Sequence, residues 1–213
     1  PTDDELAKLQ AELGLHELAV EDSRNWGQRA KVDFYPQHLF LVAHGIDLDQ
    51  QGELVDREVH LFAGGGLYVA AIRREPRFDF AKVAARLESA PALSEEGIGF
   101  LLYLMLDEIV DGYLDVIELF EDLSDDIEDA VAVEEDGAEG QATRLLAQRI
   151  FRLRQQVVRF RRLASPLREV IDLLLETPTI VTPRIRSEPG GVSTLMKPSA
   201  SPSAMARSRS SMP

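Results

Sequence analysis

Asp107 and Asp111 stand four residues apart in an apolar-patterned stretch, and Asp115, Glu118 and Asp122 carry the same helical spacing onward, so carboxylates gather on shared faces. Like charges at that spacing repel, and a hard divalent cation with oxygen ligands would relieve them. Mg2+ keeps several of its waters and needs only one or two carboxylates from each element. Glu21 and Asp22 form a second acidic pair, which taken alone reads as ordinary surface. Spacing by itself favours a solvated acidic face at both places. The charge distribution is nevertheless lopsided: no Lys, Arg or His occurs from Leu87 to Thr143, while fifteen carboxylates fall between Leu101 and Gly140. Eight arginines follow between Arg144 and Arg168, so neutralisation from within the chain and neutralisation by metal both stay open.

Other chemistry is hard to find. The sequence has no Walker A loop, Rossmann fingerprint, zinc-protease helix or nucleophile elbow, and Gly64-Gly65-Gly66 lacks the Lys and Ser/Thr of a phosphate loop. That points away from an enzyme. His16, His38, His44 and His60 have no helical ligand spacing. His38 and His44 could share one sheet face, but packed histidines account for them better than a zinc pair. The net charge of -14 argues against nucleic acid, because the one cationic stretch belongs to a helix whose expected neighbour is acidic. With no cysteine, disulfides and thiolate chemistry are excluded. No window reaches the ~18 consecutive apolar residues of a membrane helix, and no basic-then-apolar leader opens the chain, so a soluble chain is expected. A start at Pro1 suggests a processed or excised chain.

The elements that would position these groups are legible from periodicity. Thr2 and Glu5 form a capping box ahead of Leu6, Leu9 and Leu13, and Gly14 stops that helix. A second helix is expected over 17–25, with Leu18 and Ala19 inward and Glu21 and Asp22 projecting. Three strands follow at 38–46, 54–63 and 67–73, the last two joined by the triple glycine in a tight antiparallel connection. Phe80, Val83, Ala84 and Leu87 mark a helix over 79–87. After Pro91, with Ser94 as N-cap, a long helix carries the seam Leu106, Ile109, Tyr113, Val116, Phe120, Leu123, Ile127 and Ala130. A polar turn at 133–141 leads to a second long helix with the seam Leu146, Ile150, Leu153, Val157, Phe160, Ala164, Leu167, Ile171 and Leu174. Two such seams predict an antiparallel hairpin, kinked near Pro166, with the arginines of one helix flanking the carboxylates of the other. The fold class is therefore α+β: an α/β/α-like N-terminal unit with a small, antiparallel-containing sheet (1–92), a long helical hairpin (93–177), and a Ser/Pro/Arg-rich tail (178–213) expected to be disordered.

Several segments together resemble the cytoplasmic domain of CorA-type magnesium and cobalt transporters. They are Gly14-Leu15-His16-Glu17-Leu18-Ala19-Val20-Glu21-Asp22, then Asn25 and Gln28-Arg29-Ala30-Lys31-Val32, and His38-Leu39-Phe40-Leu41-Val42. Further along come Arg73-Arg74-Glu75-Pro76, Leu101-Leu102-Tyr103 to Asp107, Val110-Asp111, and Ser165-Pro166-Leu167-Arg168-Glu169-Val170. They occur in the family's order over residues 13–175. The resemblance implies a homopentamer on the cytoplasmic side of the cell membrane, with Mg2+ or Co2+ as the ion and regulatory Mg2+ held between neighbouring subunits. By that resemblance Glu21, Asp22 and Asp107 are metal ligands, and Asp111 a nearby acidic position. Ala30 replaces the proline usual in that stretch. The stalk residue, the membrane helices and the Gly-Met-Asn pore motif are missing after Pro183, and so are the first strands. Membrane contact would come only through those missing helices. As given, the chain is expected not to conduct ions, to hold metal weakly, and to be a monomer or weak oligomer. Two alternatives share the sequence features: a helical-hairpin interaction module with no metal function, and the zinc-transporting branch of the superfamily.

Overall fold

The computed structural model describes residues 1–64, 68–74, 78–89, 97–134 and 140–177. The expected Gly65-Gly66 connection, the Ser94 cap, the centre of the 133–141 turn and the tail lie outside them. The order is α1 (Asp3–Leu13), α2 (Glu17–Arg24), β1 (Lys31–Phe34), β2 (His38–Leu48), β3 (Leu54–Gly64), β4 (Tyr68–Arg73), α3 (Ala81–Ser89), α4 (Ile98–Glu134) and α5 (Gly140–Glu176). The four strands form an antiparallel sheet in sequential order.

Local chemistry explains the boundaries. Thr2 and Glu5 make the reciprocal capping box, and Gly14 ends α1 at φ 63°, a conformation a side chain would strain. Asp49 turns β2 into β3: its carboxylate accepts from the N–H groups of Gln51 and Glu53. Asp79 accepts from the N–H of Ala81 and opens α3. Strand β1 is an addition to the three expected strands. Its four residues include Lys31 and Asp33, so no alternation announces it, and its pairing with residues 39–42 of β2 creates it.

The sheet separates two apolar layers by the two-residue period of its strands. Leu39, Leu41 and Ala43 of β2 with Val59, Leu61 and Ala63 of β3 face α3, α4 and α5. Phe40, Val42, Phe62 and Ile72 face α1 and α2. On the hairpin side Gly45 is obligatory, because a Cβ there would sit 2.1 Å from the Phe78 ring.

Three expectations need correction. Leu18 does not face inward: it is 56% exposed, while Ala19 and Val20 are buried, because the short α2 meets the sheet one position further round. In α5, Ile150 (46% exposed) and Val157 (42%) leave the expected seam. The face that packs runs instead through Leu153, Gln156, Phe160, Leu163, Leu167, Val170 and Leu174, in alternating three- and four-residue steps. A buried glutamine broke the apolar pattern: the side-chain carbonyl of Gln156 accepts from the N–H of Leu54 at 3.0 Å, and its amide donates to Glu53, tying α5 to the β2–β3 turn. Lastly, the arginines of α5 do not flank the acids of α4. Among the described residues one such pair occurs, Arg149–Asp126 at 4.0 Å. With the seam rotated, Arg159 and Arg162 lie beside residues 27–30, ahead of β1, instead. The helix continues through Pro166, which is buried.

Candidate functional site

Helix α2 starts where the His16 ring accepts from the N–H of Leu18, and the N–H of His16 in turn donates to Nε2 of buried His38 at 2.8 Å. This anchors the helix and points its outer face away from the sheet. Glu21 is exposed on that face, and Asp22 is partly covered. Asp22 is not alone: Lys31 Nζ donates to its carboxylate at 2.5 Å and also reaches Asp33 at 2.9 Å. Burial works against the Lys31 charge, but the two carboxylates outweigh it and raise its pKa.

Asp107 sits on α4, on the opposite layer of the sheet, where Arg86 of α3 donates to it at 2.8 Å. Its neighbour Glu108 takes Lys82 at 2.9 Å. Asp111, one turn on, is exposed. The acidic pairs therefore lie on opposite sides of the sheet, and both Asp22 and Asp107 have a cationic partner. Those partners were not anticipated. Lys82 and Arg86, four residues apart on one helix just before the cation-free stretch, were the available signal. Among the described residues, no three His, Asp or Glu side chains come together as a metal cage. Within one copy, the acidic residues singled out by the sequence are therefore brought together only as separate groups of one or two carboxylates.

The histidines serve the scaffold. Both groups facing His44, the Asp56 carboxylate at 2.7 Å and the Gln28 carbonyl at 2.9 Å, are acceptors, so together they favour the ring with an N–H on each nitrogen. Burial opposes that charge, yet Asp56 and Gln28 outweigh it and its pKa is raised. Across the ladder, Glu58 is buried against His60 at 2.9 Å and accepts from the N–H groups of Gly27 and Gln28. Burial pushes Glu58 upward, but these donors prevail and its pKa is lowered. The two pairs pin the 25–30 loop beside the α2 acids.

The match of a family model, "CorA-like Mg2+ transporter protein", to residues 1–186 decides the affiliation. The chain belongs to that family. CorA-like proteins are transporters and not enzymes. YfjQ of Bacillus subtilis (strain 168) is 29% identical over 175 residues, 82% of this chain and 51% of that protein. The cobalt/magnesium transport protein CorA of Thermotoga maritima is 27% identical over 164 residues, 76% of this chain and 44% of that protein. The fold matches the soluble domain of CorA from Methanocaldococcus jannaschii with a TM-score of 0.57 at 22% identity, over 82% of this chain and 66% of that one. This CorA-like chain spans about half the length of those two relatives, and none of its described helices is long and apolar enough to cross a membrane.

Proposed function

We propose that this chain is the cytoplasmic, Mg2+-sensing part of a CorA-type transporter of Mg2+ and Co2+, acting in a homopentamer at the cell membrane. The observation that carries the reading is the family match over residues 1–186. The geometry supplies a reason for assembly. Glu21 and Asp22 on one layer and Asp107 and Asp111 on the other cannot close on one ion within a copy, but they are the two halves of a site formed when the α2 side of one copy meets the α4 side of the next. A hydrated Mg2+ between them binds the assembled state better than the separated one, and that difference biases the assembly.

The expected outcome is Mg2+-dependent association: sedimentation velocity at millimolar Mg2+ shifts the chain to larger species, and Asp22→Asn and Asp107→Asn each lose the shift while melting like the parent. Retention of the full shift by both variants moves the site elsewhere; no shift in a chain extended through its stalk refutes sensing. Repeating the series with Co2+ and Zn2+ reads ion preference and separates the zinc-transporting branch. Leu114, Leu145 and Phe151, exposed on the hairpin, favour a second reading, a module that docks a partner helix without metal. Association indifferent to chelator selects it.

A further inference from the structure

Two of the segments that carry the family resemblance, Gln28-Arg29-Ala30-Lys31-Val32 and Ser165-Pro166-Leu167-Arg168-Glu169-Val170, are far apart in sequence and face each other in the fold. Arg29 donates to Glu169 at 2.8 Å across 140 residues. Between the 27–30 loop and α5 lies a cavity of about 760 Å3. Its charge is at odds with the chain. In a protein of net charge -14, the groups lining it include Arg29, Arg159, Arg161, Arg162 and His44, against the single carboxylate Asp56. Asp56 is already committed to His44. No carboxylate among the described residues pairs with Arg159, Arg161 or Arg162. Arg159 and Arg162 are three residues apart and repel on one helical face, so these guanidiniums are gathered without an internal counter-charge.

We propose that this cavity binds a condensed phosphate, a di- or triphosphate group that is either inorganic or carried by a nucleoside. Guanidinium forks match phosphoryl oxygens in bidentate fashion, and several forks lining one cavity from a loop and a helix suit more than one phosphoryl group. The volume is that of a small-molecule site. His44, held by Asp56, is part of the lining, and Val158, Leu163 and Pro166 add apolar surface. An acidic helix of a second copy would instead want a long open stripe. The cavity and the acidic pairs use different residues, so this site stands or falls independently of metal sensing.

Calorimetric titration of the full chain in divalent-free buffer tests it, with sodium tripolyphosphate and ATP as the two probes. Tripolyphosphate binds, addition of salt weakens it, and Arg159→Ala/Arg162→Ala weakens it about tenfold or more, whereas Arg154→Ala, an exposed arginine of the same helix outside the cavity, leaves it unchanged. ATP binding at least as tightly identifies a nucleoside-borne group, and ATP binding tenfold more weakly identifies the inorganic one. The proposal is overturned if neither probe binds at roughly 1 mM, if Arg154→Ala weakens binding as much as the double variant, or if the double variant binds like the parent. It is overturned equally if the double variant loses only self-association, since the groove then serves another copy. Because no metal is present, failure here leaves Mg2+ sensing untouched.

Discussion

Lys31 and Arg86 occupy the carboxylates that a metal would use, so an ion reaching Asp22 or Asp107 has a lysine or arginine to displace. Both pairs are partly exposed, which makes each contact weak and exchangeable. Under the proposed function, these cations would compete with Mg2+ for the two carboxylates and so set the threshold of the response. Arg86→Ala is accordingly expected to move the midpoint of Mg2+-dependent association to roughly three- to fivefold lower concentration, the opposite of Asp107→Asn. Sedimentation across a Mg2+ series measures both. Lys82→Ala, which frees Glu108 only, is the matched comparison. The carboxylates themselves were legible from spacing and resemblance. Their partners were not, because an arginine 21 residues away meets Asp107 only through the packing of α3 on α4.

Strands β2 and β3 place His44 opposite Glu58 and His60 opposite Val42, so one end of the α1–α2 layer is polar and buried. The histidine–carboxylate pairs hold the loop that leads from α2 into β1, and they make stability depend on pH. For His44 the folded pKa is raised, so its contribution is fully present below the unfolded value near 6.5 and is lost as pH rises through the folded one. For Glu58 the folded pKa is lowered, so its contribution is present above the unfolded value near 4.5 and is lost as pH falls through the folded one. His38 opposes His44. Its burial lowers its pKa, so the contribution of the neutral ring is present above the unfolded value near 6.5 and is lost as pH falls through the folded one. Thermal melts from pH 6 to 9 on the parent and Asp56→Asn separate them: the loss of stability on the alkaline side in the parent is expected to vanish in the variant. The strands were visible as β-branched and aromatic runs, and even spacing put His38 and His44 on one face. That His44 spends both nitrogens on a carboxylate of the next strand and a carbonyl of a loop was invisible to any pattern along the chain.

At the scale of the whole molecule, the buried face of α4 is concentrated in its first two-thirds. Leu106, Ile109, Tyr113, Val116 and Phe120 are buried on α4, whereas the positions beyond Phe120 with described side chains are half-buried or exposed. Ile109→Ala, at a fully buried site under the sheet, is expected to cost ~2–5 kcal/mol. Leu123→Ala, at a site 37% exposed, is expected to cost under ~1 kcal/mol. Urea denaturation of the two variants checks the contrast, and equal losses would mean that the far half of the hairpin is as tightly packed as the near half. Periodicity and composition by themselves determined that there would be a capped first helix, antiparallel strands and two long helices, since each is a local preference repeated at a fixed spacing. Family membership was likewise readable from short segments in order. Only the tertiary structure decided which face of α5 turns inward, where the arginines point, and that the acidic pairs lie on opposite sides of the sheet. Those outcomes depend on rotations of a few tens of degrees about a helix axis, and the contacts between elements set such rotations, with a single buried glutamine enough to displace the seam.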